Sequence, residues 1–154
     1  MVRLKIFIVF FILNFGALFL GGLFTGSGVS SEWYNNLNQA PWTPPGWVFG
    51  VAWTSIMVCF SFYMTSLYQS ESNLKKLLLL FALQWILNVS WNPIFFHFQT
   101  TGFALAIICI LTLVVAYFLI FFKHRNAIIK TLIMPYLLWL IVATSLNFYV
   151  FQYN

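Results

Sequence analysis

The chain has 154 residues, of which 62% are hydrophobic and only 6% are charged. Soluble domains carry about 25% charged residues, so this composition excludes an ordinary water-soluble fold and is typical of an integral membrane protein. The net charge of +5 comes from short basic runs between apolar spans, a topological pattern that excludes a phosphate-binding face, so we expect no nucleic-acid partner.

Five apolar spans follow one another along the chain, each with the ~20 residues needed to cross ~30 Å of hydrocarbon. We predict transmembrane helices at about residues 4–24, 44–68, 74–98, 102–122 and 128–151. The last three connectors are short, so successive helices must run antiparallel. The sequence therefore predicts an all-α membrane protein, a single domain over residues 1–154 that forms a five-transmembrane-helix bundle.

The first span has an alternative interpretation, because basic residues before an apolar run and a Gly-Ser-Gly segment are also features of a cleaved signal peptide. The run is longer than the usual apolar region of 7 to 15 residues in such peptides. In addition, Gly22 and Gly26 form a small-xxx-small pattern that indicates either a close helix-packing surface or simply a Gly-rich helix end. We therefore predict a transmembrane helix here.

The long connector at residues 25–43 is rich in aromatic and amide side chains, among them Trp33, Tyr34, Gln39 and Trp42. Its aromatics are consistent with anchoring at the lipid headgroups, or with a lid that folds over the mouth of the bundle. The two interpretations stay open at this stage.

All Lys and Arg residues fall on one side of the membrane if the N-terminus is inside. They are Arg3, Lys5, Lys75, Lys76, Lys123, Arg125 and Lys130. The opposite side then carries the long connector and the C-terminus, without any base. The positive-inside rule therefore predicts a cytoplasmic N-terminus and a C-terminus outside.

Catalysis by paired carboxylates is excluded, because the chain has no Asp and places Glu32 and Glu71 in loops on opposite sides. His97 and His124 also fall near opposite faces, so no hydrolytic triad can form. His97 could serve as an axial haem ligand, but an ordinary interfacial histidine is the simpler interpretation.

The two cysteines, Cys59 and Cys109, lie inside apolar runs without metal-ligand spacing. We interpret them as small core residues and predict no metal site and no cofactor.

Polar and aromatic residues share one face of the third predicted helix, where Gln84, Asn88, Trp91 and Phe95 are spaced at i, i+4, i+7 and i+11. Amides exposed to lipid would lack hydrogen-bond partners, so this face must look into the bundle. It either holds helices together or lines a cavity.

The second and fifth predicted helices carry similar faces. Tyr136, Trp139, Ala143 and Asn147 share a face of the fifth helix. The second helix contributes Trp53, preceded by Gly46 and Gly50 and followed by Met57. For the two Asn residues, helix contact and ligand contact are equally good interpretations. For the indoles we predict a pocket that stacks a large aromatic ligand, lined by Trp53, Trp91 and Trp139.

Three blocks of this sequence resemble the TspO/MBR family, which comprises the tryptophan-rich sensory proteins and the mitochondrial translocator protein, or peripheral benzodiazepine receptor. The first block runs from Trp33-Tyr34 through residues 41–49 (PWTPPGWVF) to Trp53. The second contains Gln84, Asn88, Trp91, Pro93 and Phe95-Phe96, and the third Pro135-Tyr136, Trp139, Ala143 and Leu146-Asn147. The resemblance covers residues 4–154.

The resemblance implies a homodimeric five-helix bundle that binds porphyrins such as protoporphyrin IX, as well as benzodiazepine-type ligands. It places one residue in a lid and the others in the pocket wall. The implied ligand-binding residues are Tyr34, Trp53, Asn88, Trp91, Phe95, Trp139, Ala143 and Leu146.

Sterol binding is a weaker implication of the resemblance. The expected Leu/Val, Tyr, Lys/Arg pattern fails at the end of the last helix, because no base follows Tyr149. Val115, Tyr117 and Lys123 satisfy the loose consensus elsewhere, and such matches arise readily in helices of this composition.

The leading functional hypothesis is therefore a membrane receptor or sensor for tetrapyrroles, placed in the bacterial plasma membrane and surrounded by membrane lipids. A second is light- and oxygen-dependent degradation of bound protoporphyrin IX, in which Trp53 and Trp139 would be the catalytic electron donors. A third is a porphyrin or lipid transporter, or a membrane scaffold. Pro93 and Pro135 could kink their helices, but no broken helix pair or buried charge favours a transport cycle.

Overall fold

The computed structural model of the protein describes residues 2–123 and 126–154. These residues form a helical bundle with five stretches long and apolar enough to cross a membrane, which confirms the expected fold class. The elements are α1 (Val2–Val29), α2 (Glu32–Asn35), α3 (Gly46–Ser70), α4 (Leu74–Asn92) with a π-helical turn (Pro93–His97), α5 (Thr101–Phe121), α6 (Ala127–Thr131) and α7 (Met134–Tyr153).

The long helices form a closed ring in the order α3, α1, α4, α5 and α7, with α7 returning to α3. The centre of the ring is filled by large side chains that are fully buried, including Phe60, Phe118 and Tyr136. The Phe60 ring packs edge-on against Phe118 and Tyr136 at centroid distances of 6.0 and 5.3 Å. This part of the bundle is therefore a packed aromatic core, not a channel.

Helix α1 is built into this bundle by polar contacts as well as by packing. Asn14 donates a buried hydrogen bond of 2.9 Å to Ser61 on α3. On the other side, Trp85 of α4 donates its indole N–H to the carbonyl of Leu13 at 2.8 Å. Interhelical hydrogen bonds of this kind join helices in an apolar solvent. These contacts support the transmembrane interpretation of the first span.

The close approach between α1 and α4 occurs at glycines other than those of the Gly22/Gly26 pattern. Gly22 and Gly26 are exposed, and a Cβ added to either would meet no atom within 4 Å. A Cβ on the buried Gly21 would instead lie 2.5 Å from the Asn92 side chain, and one on Gly28 would overlap the Phe96 ring. Gly22 and Gly26 therefore pack against no other helix of the described bundle, because α1 presents a neighbouring face to α4.

Two prolines change the course of their helices. Pro93 lacks an N–H, and after it the chain adopts one π-helical turn in which Phe98 donates to the Pro93 carbonyl at 2.9 Å. The predicted helix over residues 128–151 is interrupted at residues 132–133, just before Pro135, so that α6 and α7 are separate. On the other side of α6, Asn126 caps the helix by accepting a hydrogen bond from Ile129.

The first connector is shorter than the predicted loop of residues 25–43, because α1 continues to Val29. We call residues 30–45 the lid. It contains the short helix α2, whose N-terminus is capped by the Ser31 hydroxyl accepting from the Tyr34 N–H at 3.2 Å. Ser31 also donates to the Gly28 carbonyl at 2.6 Å, which fixes the turn out of α1.

The basic residues that the structure describes lie at one end of the bundle, at the start of α1, between α3 and α4, and around the α5–α6 connection. Lys76 places its ammonium 5.1 Å above the Tyr117 ring, a cation–π contact that joins α4 to α5. Arg125 and His124 lie outside the described residues. Of the two cysteines, Cys59 is half-buried, but Cys109 is exposed on the surface of α5 and is not a core residue as predicted.

Candidate functional site

A small cavity lies among α3, α4, α5 and α7. Its volume is about 40 Å³. The lining residues are Phe49, Trp53, Asn88, Trp91, Ile108, Leu111, Trp139, Leu140 and Ala143. The three indoles that we predicted from helix spacing are thus brought to one cavity, each from a different helix.

Edge-on ring contacts hold two of these indoles. Trp53 lies with its centroid 6.0 Å from the Tyr136 ring at 74°, and Trp139 lies 5.2 Å from the Phe49 ring at 83°. Edge-to-face pairs are favourable because the positive ring edge meets the negative ring face. In neither contact does the neighbouring ring stack face to face on the indole.

Trp91 is fixed more firmly than the other two. It stacks on Phe95 with centroids 5.0 Å apart, and its indole N–H donates to the Asn147 side-chain oxygen at 3.0 Å. Asn147 in turn donates to the backbone carbonyl of Thr101 at 3.0 Å. The Asn147 side chain therefore joins neighbouring helices, as in the first of its two interpretations.

Asn88 differs from Asn147. Its side chain lies in the cavity wall and is 8% exposed, and it makes no hydrogen bond with any other part of the chain that the structure describes. Gln84, one turn earlier, donates to the Tyr136 hydroxyl at 2.7 Å and does not line the cavity. Its second amide atom, Oε1, is buried without a partner among the described residues. The α4 face thus offers an amide that a ligand can use.

The lid covers the end of the bundle nearest to the cavity. Trp33 packs edge-on against Phe95 at 5.5 Å, and Tyr34 packs against Phe96 at 5.6 Å. Both phenylalanines belong to the π-helical turn and are buried. Burial raises the pKa of the Tyr34 phenol above its ordinary value. The phenol is therefore neutral where it meets the bundle.

The far end of the lid is attached to α7. The Asn38 backbone N–H donates to Asn154 Oδ1 at 2.8 Å, and the Asn38 side chain donates to the Tyr153 carbonyl at 3.0 Å. Trp42 donates its indole N–H to the Ser145 hydroxyl at 3.2 Å. Trp47 is largely exposed just after the lid. Trp33 and Tyr34 thus pack against the bundle and Trp42 is hydrogen-bonded to α7, whereas Trp47, outside the predicted connector, is exposed.

Five of the eight predicted ligand-binding residues line the cavity: Trp53, Asn88, Trp91, Trp139 and Ala143. Phe95 and Tyr34 lie behind Trp91, in the contact between the π-helical turn and the lid. Leu146 is half-buried on α7 and does not line the cavity. Gly46 and Gly50, which we placed beside Trp53, are exposed.

Four cavity residues were missed from the sequence. Phe49 lies one helical turn before Trp53 and could have been found by the same spacing. Leu140 could also have been found, since it lies one turn after Tyr136 on the same face of α7. Ile108 and Leu111 could not, because they lie in the long apolar run of α5, which presents no distinctive face.

His97 is exposed, with its ring beside Phe24 and Phe98 at 6.3 and 5.0 Å, and it does not line the cavity. Glu32 and Glu71 lie at opposite ends of the bundle, in the lid and after α3. The cavity wall consists of aromatic, aliphatic and amide groups. Its chemistry is therefore that of stacking, apolar contact and hydrogen bonding.

The volume of the cavity limits the size of the molecule that it can hold in this conformation. About 40 Å³ is room for one or two water molecules, whereas pockets for drug-sized ligands are ~300–1,000 Å³. The cavity is therefore too small for a large ring, which could enter it only if side chains moved.

The helices and the cavity define the class of this molecule: an integral membrane protein with an aromatic cavity inside a five-helix bundle. The model of the TspO/MBR family matches residues 7–153, so the chain belongs to the TspO/MBR family.

Relatives are found in bacteria and in animals. The chain is 37% identical over 123 residues to the tryptophan-rich sensory protein of Cereibacter sphaeroides, covering 80% of this chain and 77% of that protein. It is 31% identical over 154 residues to the protein CrtK of Rhodobacter capsulatus, covering 98% and 94%. It is also 28% identical over 141 residues to the human translocator protein, covering 86% and 83%.

Proposed function

We propose that this protein is a membrane receptor or sensor that binds a tetrapyrrole, such as protoporphyrin IX, in the cavity beneath the lid. The observation that carries the proposal is the set of three indoles, Trp53, Trp91 and Trp139, which meet at one cavity together with the unpaired amide of Asn88. Large flat rings bind by stacking on such side chains, and one or two polar groups fix their orientation.

The same cavity chemistry suits benzodiazepine-type ligands, which combine aromatic rings with a hydrogen-bond acceptor. Asn88 offers both donors and an acceptor to such a group. Tyr34 and Phe95 would act from outside the cavity wall, by holding the lid and Trp91 in place. Leu146, behind Ala143 on α7, would support that wall.

We also propose the bacterial plasma membrane as the location, with the N-terminus cytoplasmic and the C-terminus outside. The described bases all lie at one end of the bundle, and cytoplasmic loops are the ones enriched in Lys and Arg. The lid then lies on the outer side. The exposed apolar surface of the helices would contact membrane lipids and a second copy of the chain in a homodimer.

The binding proposal is tested in the dark with detergent-solubilised protein, by titrating protoporphyrin IX and following tryptophan quenching and porphyrin absorbance. We expect saturable quenching whose dissociation constant is raised about 5- to 150-fold by Trp53→Ala, the loss of one stacking face being worth ~1–3 kcal/mol. Trp47→Ala, which changes an exposed indole away from the cavity, is the matched control. Equal binding by all three proteins, or no saturable binding, would refute the proposal and favour a scaffold.

A second candidate function is photo-oxidative degradation of the bound porphyrin. It is favoured by the position of Trp53 in the cavity wall and by its contact with Tyr136, which is edge-to-face and not stacked, so that an excited ring in the cavity would meet the indole directly. In this reaction the indole gives one electron to the excited porphyrin, and the reduced porphyrin passes it to dioxygen to form superoxide. The indole radical cation then takes an electron back from the ring, and the oxidised ring combines with superoxide to form a carbon–oxygen bond, so that the net change is the addition of dioxygen to the porphyrin. The donors would be Trp53 and Trp139.

Illumination in air separates degradation from binding. Trp53→Phe combined with Trp139→Phe keeps an aromatic ring at both positions but raises the barrier to one-electron oxidation. Loss of the porphyrin Soret band in the wild type but not in this double variant is expected for the enzyme. A steady spectrum in the light, with binding intact, would leave only the receptor. Uptake of porphyrin into sealed vesicles would instead indicate a transporter.

A further inference from the structure

A second recess lies on the outside of the bundle, between α3 and α7. It is a groove of about 220 Å³ whose wall includes Ala52 and Ser55 on α3 and Pro135, Leu138 and Val142 on α7, with Trp139 at its base. Leu138 is 57% exposed, so the groove opens sideways on the surface that faces the hydrocarbon of the bilayer. Nearly all of its wall is apolar.

Trp139 is the partition between this groove and the inner cavity, because its side chain lines both. Its indole N–H is buried and has no acceptor among the described residues. Trp42, Trp85 and Trp91, by contrast, each donate the indole N–H to an acceptor at 2.8–3.2 Å. The Trp139 ring is therefore held by packing alone, and turning it costs no hydrogen bond.

The surroundings of Trp139 leave room for such a movement. Small side chains flank it on both sides: Ala52 in the groove and Ala143 in the cavity. Pro135 stands in the first turn of α7, directly after the interruption between α6 and α7. Trp139 follows it by one turn, so it lies close to the point where the helix begins.

The volumes of the cavity and the groove are consistent with a movement of Trp139 that joins them. Neither recess alone reaches the ~300 Å³ at which ligand pockets begin. Together the cavity and the groove approach that value, and the space left by the displaced indole adds to it. The other route into the cavity, beneath the lid, is closed by the Trp33–Phe95 and Tyr34–Phe96 contacts and by the hydrogen bonds of Asn38.

We propose that Trp139 is a gate: its displacement joins the inner cavity to the α3/α7 groove and makes one site, which a flat apolar ring enters sideways from the bilayer. The bound ring would then have one edge inside the bundle, near Asn88, and the other in lipid. Polar substituents such as carboxylates would have to lie toward the membrane surface. This rests on the proposed function only for the identity of the ring, since the gate itself can be tested without a porphyrin.

The gate is tested first by thiol labelling in lipid vesicles. In a chain with Cys59→Ala and Cys109→Ala, the variant Ala143→Cys places a thiol in the inner cavity, and a lipid-soluble maleimide reports access to it. We expect Trp139→Ala, and to a lesser extent Trp139→Leu, to raise the labelling rate about tenfold, as expected if the gate is open for a tenth of the time. Ala52→Phe, which fills the groove, should suppress this increase. Ala106→Phe, on an exposed position of α5, should not.

Porphyrin binding in the dark supplies the second test. A gate that must open before binding reduces the apparent affinity by the fraction of open protein. Trp139→Ala should therefore speed the association of protoporphyrin IX, whatever the loss of its stacking face does to the affinity. A stacking wall alone predicts a weaker complex with an unchanged association rate.

The outcomes separate the gate from the receptor. A labelling rate that is indifferent to Trp139→Ala and Trp139→Leu, or that Ala106→Phe lowers as much as Ala52→Phe does, overturns the gate. Gate-dependent labelling without any saturable porphyrin binding supports the gate and refutes the proposed tetrapyrrole function. Weaker binding of protoporphyrin IX by Trp139→Ala at an unchanged rate overturns entry through the groove.

Discussion

The indole N–H of Trp91 and the side-chain oxygen of Asn147 are joined by a hydrogen bond of 3.0 Å between α4 and α7. Because Asn147 also binds the Thr101 carbonyl, one amide connects three helices beside the cavity. This contact holds the cavity wall that a ligand would stack on. It also shows how a polar residue at membrane depth can support a site without facing it.

Breaking this contact should destabilise the bundle. Asn147→Leu leaves the Trp91 N–H and the Thr101 carbonyl without the partner they share, and interhelical hydrogen bonds in membranes are worth ~0.6 kcal/mol and up to ~1.7. A double-mutant cycle with Trp91→Phe, measured by unfolding in a strong detergent, should give a coupling free energy in this range. A coupling of zero would contradict the assigned role of Asn147.

Glycines on α1 should differ sharply in their tolerance of a methyl group. Gly21→Ala brings a Cβ into the end of the Asn92 side chain. That amide must then turn away from the Thr25 hydroxyl that donates to it, so the variant should lose ~1 kcal/mol. Gly22→Ala is the matched control, since its Cβ meets nothing, and it should be neutral or stabilising. The measurement is the midpoint of thermal unfolding in detergent. Equal effects of the two variants would argue against the α1–α4 contact.

The lid should open when its attachment to α7 is weakened. Asn154→Ala removes the acceptor for the Asn38 N–H and the donors to the Asn38 and Val150 carbonyls, so chymotrypsin should cleave the lid about 5- to 30-fold faster, as expected for a loss of 1–2 kcal/mol. Asn36→Ala, an exposed amide in the same segment, is the control. If both variants are cut at the wild-type rate, the Asn38–Asn154 contact does not hold the lid.

Raising the pH should also loosen the lid, because the Tyr34 phenol is partly buried where the lid meets the bundle. Burial raises the pKa of this phenol, so the docked lid keeps its proton at pH values where the free lid has lost it. The contribution of Tyr34 to the stability of the docked lid is fully present below the ordinary phenol pKa of about 10. It is lost as the pH rises through the raised pKa of the docked form. Lid cleavage should therefore accelerate above about pH 10 in the wild type. Tyr34→Phe should remove this acceleration, and its persistence would assign the pH response to another group.

The sequence predicted the architecture well for physical reasons that are visible in individual residues. Apolar spans of membrane-crossing length separated by short connectors leave little choice but antiparallel helices. The spacing of Asn88 and Trp91 on α4, and of Trp139 and Ala143 on α7, placed four residues correctly at the cavity. Helical periodicity is reliable where polar or aromatic side chains interrupt an apolar background.

The errors also have physical causes. The π-helical turn after Pro93 adds a residue to the helical repeat, so positions beyond it no longer follow simple spacing, and Phe95 faces the lid contact instead of the cavity. The Gly22/Gly26 pattern did not locate the contact, because a small-xxx-small motif does not say which neighbour it contacts. The neighbouring Gly21 is the one buried against α4. The groove beside Trp139 could not be foreseen, because it depends on how loosely two apolar helices meet.

The most direct test of the central claim, that the aromatic cavity is the tetrapyrrole site, is to fill the cavity. The measurement is the dissociation constant of protoporphyrin IX in the dark for Ala143→Phe, with Ala106→Phe on the exposed face of α5 as the matched control, both shown to keep the wild-type helical content. We expect Ala143→Phe to lose saturable binding and Ala106→Phe to bind like the wild type. Equal, saturable binding by both variants would contradict the claim and place the ligand elsewhere on the protein.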